Sequence, residues 1–409
     1  MSVNYSILVP TWNKLEYLKN TVDSIINQDY ENFELIICDD FSTDGTSEYL
    51  ALLKDKRIKL VKPPFKLTQT KNYEFILGHA TGEWISIIGD DDGVLPNFFR
   101  ILDETIEKLD SEVEAISSKP AFYYWESVND LYGDRVVDYQ NFFEKNNIIS
   151  SKKNLFYALL GWKDRTDLPM IYTSGLVKKT LVDRIKNKSN NFFFQSIVPD
   201  YYSMVAILFE TNKFLRLNQP IFWVGASSKS TGKGLRIYQD NIEEKNASYI
   251  NKNLFLSKDI NISLHQTGIP SLYFYECILK HPYISNFWRS KFIKNLVLIS
   301  SLIYFKNKLM DQPWRVKTNI SLAEFKKIIQ KELSFSYFVK FLNIPIYLLI
   351  YLGQKFFKNY LIKIKKIKNY FKKNIIKSKN IVLVSKDRKK YSSINECNTF
   401  INLLNNYKI

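Results

Sequence analysis

The stretch GEWISIIGDDDGVLP, residues Gly82–Pro96, places three consecutive aspartates directly after an apolar run that reads as a strand. Adjacent carboxylates raise one another's pKa unless positive charge stands between them. Asp90, Asp91 and Asp92 therefore read either as the seat of a divalent cation or as a solvated acidic loop. The proline that follows bears on the choice. Pro96 suits the first turn of a helix running to about Lys108, which puts the cap at Leu95 and leaves none of the three acids in a capping position.

Working outward, the first hundred residues alternate apolar runs with segments of three-and-four periodicity, the pattern of βα units around a parallel sheet. Strands are expected at Ser6–Val9, Glu34–Asp39, Ile58–Val61 and Trp84–Ile88, with helices over Glu16–Gln28, Gly45–Leu53 and Lys71–His79. Ligands of such sheets gather at the carboxyl ends of the strands. Asp39 and Asp40 end the second strand and Asp90–Asp92 follow the fourth, so two acidic strand ends on one edge predict one site. Within DDFSTDG, Ser42 or Thr43 can cap the next helix and Asp44 can favour its dipole, which leaves Asp39 and Asp40 without a structural reason.

Two segments, SILVPTWNKLEYLKNTVDSIINQDYENFELIICDDFSTDGT and QTKNYEFILGHATGEWISIIGDDDGVLP, resemble the family 2 inverting glycosyltransferases of the nucleotide-diphospho-sugar transferase (GT-A) fold. The resemblance is close over about residues 4–100 and looser over 100–230. It implies an α/β class, a Rossmann-like, mostly parallel sheet flanked by helices, followed by a mainly helical C-terminal region. The expected division is a catalytic domain over 1–232, a helical accessory region over 233–334 and a basic amphipathic tail over 335–409.

Carried across by position, the resemblance assigns Pro10, Thr11 and Asn13 to the nucleotide. Asp40 takes the uracil or ribose, with Asp39 beside it. Lys71 and Asn72 match a stretch that reads equally as a diphosphate contact or an exposed helix start. The aspartate run matches the family's metal-binding motif, often Asp-x-Asp-Asp, with Gly89 departing from it at the first position. Asp91 is then the leading ligand for Mn²⁺ or Mg²⁺, supported by Asp92 and by Asp90 at the variable position. Hard carboxylate oxygens suit such ions, which keep open positions for phosphate oxygens.

Inverting transfer also needs a base for the acceptor hydroxyl, a role worth roughly 10²–10⁴-fold. Asp200, in SIVPDYYSMVAIL, occupies the matching place, although Asp after Pro at a helix start is also an ordinary cap. Asp164, Asp167 and Asp183 are the alternatives. Trp162, Trp223 and Tyr201 read either as sugar-stacking faces or as packing. The segment at 225–234, GASSKSTGKG, reads as a loop closing over a donor or as a linker. His79, His265 and His281 are scattered and carry no pattern.

The net charge of +17 is unevenly placed. Residues 1–100 hold ten Lys or Arg against fifteen Asp or Glu, whereas Leu333–Lys386 holds twelve lysines and no acid. An acidic first hundred residues with no nucleic-acid-reading motif argues against a basic nucleic-acid-binding protein. A catalytically degenerate nucleotide-sugar or membrane binder is the other alternative. Three cysteines without metal spacing point to a reducing compartment. The opening MSVNYSILVP lacks the regions of a signal peptide, so a cytoplasmic start is expected. Phe341–Gly353 is an apolar run too short for a bilayer that needs about 20 residues. The lysine-rich amphipathic stretch behind it, with that run, predicts an anionic membrane contact through 341–379, at the inner face of the cell membrane. The expected partners are a nucleotide-sugar donor and a glycan or lipid-linked acceptor.

Overall fold

Tyr5–Thr11 (β1) is buried at every residue, as a central strand covered on both faces must be. In the computed structural model it pairs in parallel with Phe33–Asp39 (β2) on one side and Trp84–Ile87 (β4) on the other, and Ile58–Val61 (β3) extends the sheet beyond β2. The residues described are 4–128, 137–138, 145–163, 165–196, 198–230, 269–311 and 321–333. They fall into two compact units, 4–151 with 166–230 in one, and 152–165 with 269–333 in the other.

The crossovers of the first unit are helices Leu15–Ile26 (α1), Thr46–Ala51 (α2) and Gln69–Leu77 (α3), and Phe98–Ile106 (α4) follows the acidic stretch. Leu18, Val22 and Ile25 of α1 and Phe98, Phe99 and Leu102 of α4 join Tyr5, Ile7, Val9, Leu35 and Ile37 in the principal apolar core. Aromatic stacking reinforces it, with the Phe99 ring 4.6 Å from Phe33 and 4.9 Å from Tyr30.

The central sheet runs β3-β2-β1-β4-β10-β6-β11-β9, where β6 is Ala115–Ser117, β9 Asn147–Ser150, β10 Gly175–Lys178 and β11 Lys213–Arg216. Antiparallel β10 restores the direction, so β6 and β11 point the same way as β4. A second sheet, β5-β12-β7-β8, is formed by Gly93–Val94 (β5), Ala121–Tyr124 (β7), Val137–Asp138 (β8) and Phe222–Ala226 (β12). The aspartates lie where the chain leaves the first sheet for the second. The mostly parallel α/β architecture expected from the sequence is thus observed.

Two local expectations are corrected. The helix after the aspartates starts at Phe98 rather than Pro96, because Asn97 takes a left-handed φ of 62° at its cap. Helix α2 is entered through Gly45 at φ 88°, and neither Ser42 nor Thr43 caps it. Asp44 serves both neighbouring helices instead, accepting from the Leu15 N–H at 3.0 Å and from the Thr46 hydroxyl at 2.6 Å.

The remaining helices of the first unit are Lys179–Lys188 (α6) and Pro199–Glu210 (α7). Ser151–Leu159 (α5) leads into the second unit, whose later elements are Pro270–Lys280 (α8), Lys291–Asp311 (α9) and Leu322–Glu332 (α10). Ser321 and Glu324 close a capping box on α10, and Lys294 pairs with Glu332 at 3.0 Å. Among the described residues no helix is long and apolar enough to cross a membrane. The tail at 335–409, Asp164, His265 and 231–234 of the Gly/Ser-rich loop lie outside the described residues.

Candidate active site

Three strand ends are tied together at the carboxyl edge. Register sets Thr11 beside Asp39, and the Asp40 N–H donates to the Thr11 carbonyl at 3.0 Å. The Thr11 hydroxyl in turn donates to Asp90 Oδ2 at 2.9 Å. Asp39, Asp40 and Asp90 therefore share one rim, as the two acidic strand ends imply.

The charge that neutralises the aspartates comes from Lys14. Its Nζ lies 2.7 Å from Asp90 Oδ1 and 3.6 Å from Asp91 Oδ1, in a buried setting. Burial works against a charged Lys14, but the two carboxylates outweigh it and hold the ammonium above its ordinary pKa. Burial raises Asp90 despite the ammonium beside it, and burial together with Asp91 pushes Asp92 up to about 8.

The three acids have different surroundings. Asp90 is held at both oxygens, by Lys14 on one side and by the Thr11 hydroxyl on the other. Asp92 receives the Gly225 N–H at 2.7 Å on one oxygen, and the Gly89 N–H at 2.9 Å and Thr173 hydroxyl at 3.2 Å on the other. Asp91 accepts the Ser227 hydroxyl at 2.6 Å and the Ser230 hydroxyl on Oδ2, while Oδ1 faces Lys14 at 3.6 Å and, among the described residues, accepts no hydrogen bond. Asp91 thus offers the least engaged oxygen of the three.

Two glycines allow this packing. A side chain at Gly89 would run into the Asp92 carboxylate and the Tyr172 hydroxyl, which gives its departure from the Asp-x-Asp-Asp pattern a steric reason. One at Gly225 would overlap the Asp91 carbonyl, the acceptor for Trp125 Nε1 at 3.1 Å.

On the β2 side, Asp40 is fully buried and accepts the Leu67 N–H at 2.9 Å through Oδ1. Burial raises its pKa. Its Oδ2 and the Oδ1 of buried Asn72 have no hydrogen-bond partner among the described residues. Unsatisfied buried oxygens cost free energy, so each of these suits a ligand that supplies a donor. Asn13, at φ 53°, accepts the Thr43 N–H at 2.7 Å and shapes the loop, while Pro10 is buried in β1. Lys66 lies 3.6 Å from the centre of the Trp12 ring at this end. Lys71 is exposed near the start of α3, whose cap is Thr68.

Asp200 stands in the first turn of α7 behind Pro199, half-buried. The segment leading to it docks on α3, where the Thr70 hydroxyl donates to the Ser196 carbonyl at 2.9 Å and Glu74 accepts the Phe193 N–H at 2.8 Å. Of the alternatives, Asp167 is bound to Arg216 and lies 3.4 Å from Lys119, and Asp183 is an exposed partner of Lys179 at 2.8 Å. Trp223 and Tyr201 are buried. His79 packs against Phe75, and His281 is buried.

Sequence reasoning missed Lys14, and it took in Ser227 and Ser230 only as part of the 225–234 loop, without their contacts to Asp91. Their bonds to the aspartates span 76 residues or more, beyond any local pattern. The legible signal for Lys14 was a lysine standing where a helix cap belongs.

Among the described residues, no three His, Cys, Asp or Glu side chains converge as a metal cage. Mg²⁺-type sites use one or two carboxylates plus substrate phosphates, and Asp91 Oδ1, approached by an ammonium, fits that more modest demand.

The sequence model described as Glycosyl transferase family 2 matches residues 6–159, the segment that builds this rim. Over those residues the chain is similar to that family. Similar proteins include glycosyltransferase GlyG of Streptococcus pneumoniae serotype 4, 30% identical over 189 residues, which cover 45% of this chain and 60% of GlyG. Another is the GalNAc(5)-diNAcBac-PP-undecaprenol beta-1,3-glucosyltransferase of Campylobacter jejuni, 36% identical over 93 residues, 22% of this chain and 30% of that protein. The chain therefore spans less than two thirds of the length of these relatives. Among solved structures, S. aureus TarS 1–349 in complex with UDP-GlcNAc superposes with a TM-score of 0.47 at 16% identity, over 76% of this chain and 89% of that one.

Proposed function

We propose that this chain is an inverting glycosyltransferase that moves a sugar from a nucleoside-diphosphate sugar, UDP-linked, to a hydroxyl of a glycan or lipid-linked acceptor in surface polysaccharide synthesis. The observation that carries the reading is the joining of buried Asp40, one of whose oxygens has no partner among the described residues, to the Asp90–Asp92 corner through Thr11. Asp40 and Asn72 hold the nucleoside, Asp39 and Asn13 shape the loop under it, and Lys71 reaches the diphosphate. Asp91 holds Mn²⁺ or Mg²⁺ together with the donor's phosphates, while Asp90 and Asp92 hold the corner's shape. The ion supplies charge neutralisation for the departing nucleoside diphosphate. Asp200 takes the proton from the acceptor hydroxyl as that oxygen attacks the sugar carbon in line.

The acceptor arrives from an anionic membrane through 341–379, with the enzyme peripheral on the inner face and the catalytic unit within 1–232. A lipid-diphosphate acceptor is written in the name of the Campylobacter relative and accords with this placement. The test incubates full-length protein with UDP-sugars, undecaprenyl-diphosphate-linked acceptors and Mn²⁺, and reads UDP release and the anomeric configuration of the product. Product of inverted configuration, lost in Asp200→Asn with UDP binding retained, supports the reading. Retained configuration, or full activity of that variant, overturns the mechanism.

A further inference from the structure

The cation already in the acid corner is part of the protein. Lys14 is the N-cap residue of α1, a position that favours Ser, Thr, Asp or Asn and where the helix dipole disfavours positive charge. Its side chain makes no capping bond there, and the Leu15 N–H is served by Asp44 instead. The Lys14 carbonyl accepts the Tyr17 and Leu18 N–H groups, each at 3.0 Å, but its side chain does nothing for the helix it begins. Its ammonium is spent between Asp90 and Asp91, 2.7 and 3.6 Å away.

We propose that Lys14 is a tethered counter-ion that occupies the divalent cation's place, so that metal binding is an exchange of one cation for the other and Lys14 sets the metal affinity. This rests on the metal reading of the corner given above. Without any cation, three buried carboxylates would repel one another, and the corner would open or take up protons. With Lys14 it stays closed and shaped. A dication bound at Asp91 Oδ1 and an ammonium 3.6 Å from the same oxygen repel strongly in a site shielded from water, so both cannot stay. Asp90 Oδ1, the Lys14 acceptor, is released by the same exchange and becomes available to the ion or its water.

The test titrates full-length wild-type and Lys14→Met protein with Mn²⁺ alone, following free Mn²⁺ by its paramagnetic resonance signal. Removing the competing charge should tighten Mn²⁺ binding about tenfold or more. Lys14→Arg, which keeps the charge, should remain near the wild type. Equal or weaker binding by Lys14→Met overturns the exchange.

A second measurement uses wild-type protein, in case the Met variant fails to fold. Amine acetylation mapped by mass spectrometry should rise at Lys14 on Mn²⁺ saturation, relative to exposed Lys56. Unchanged Lys14 labelling at saturation overturns the proposal. If neither protein binds Mn²⁺, the exchange falls with the metal reading, whereas UDP-dependent thermal stabilisation in EDTA tests the nucleotide reading separately.

Discussion

Gly225→Ala is the substitution whose effect follows most directly from the packing of the site. The added Cβ would overlap the backbone carbonyl of Asp91 and lie 3.0 Å from Trp125 Nε1, the donor that fixes that carbonyl. A backbone atom cannot swing aside as a side-chain tip does, so strand β12 must retreat from β5. Overpacking of this kind costs roughly 1–3 kcal/mol. The retreat also breaks the 2.7 Å bond from the Gly225 N–H to Asp92, a bond to a carboxylate worth about 1.5–3 kcal/mol. Together the loss is about 2.5–6 kcal/mol, a large part of a domain's whole stability. The assay is urea unfolding followed by tryptophan fluorescence, with Gly78→Ala as control. Gly78 ends α3 in ordinary helical geometry, and alanine there should shift stability by about 1 kcal/mol or less. A Gly225→Ala midpoint within error of the wild type, with m unchanged, would refute the claim that the second sheet is wedged against the acid corner.

Glu34 holds the opposite end of the sheet, accepting the Ser6 hydroxyl at 2.5 Å and the Thr81 N–H at 2.7 Å. Burial alone would raise its pKa, but these donors prevail and lower it, so its contribution is present above the unfolded carboxylate pKa and fades as pH falls through the folded one. Glu34→Gln should therefore flatten the acid side of the stability curve, measured by denaturant midpoints between pH 7 and 3. Asp40→Asn keeps an acceptor for the Leu67 N–H, so the fold should survive, while UDP binding read by thermal shift should weaken about tenfold or more. Thr11→Val removes a hydroxyl donor from buried Asp90 and should cost about 1.5–3 kcal/mol in urea unfolding.

Strands β1, β2 and β4 were legible because parallel strands buried on both faces read as continuous apolar runs, the edge strand β3 showed as a short apolar stretch, and α1 and α3 carried three-and-four periodicity. The acidic rim was legible as well, since Asp39, Asp40 and Asp90–Asp92 sit at strand ends of known direction. The second sheet was not, because β5 and β8 are two residues long and β5 is defined by β12, more than a hundred residues further on. The start of α4 shifted because Asn97, with its left-handed backbone, displaced the proline from the role its φ suits. Three acids in a row left a cation seat and a solvated loop both open, and their burial in the structure favours the cation. That Lys14 supplies one is a fact of tertiary structure, since the bond crosses 76 residues.

Calorimetric titration of UDP into full-length protein, with Mn²⁺ and then with EDTA, for wild type and Asp91→Ala, tests the central claim most directly. A cation seated at Asp91 that carries the diphosphate predicts wild-type binding at least about tenfold tighter with Mn²⁺, and an Asp91→Ala protein indifferent to the metal. Equal UDP affinity of the wild type in Mn²⁺ and EDTA, or a full Mn²⁺ enhancement surviving in Asp91→Ala, would contradict it.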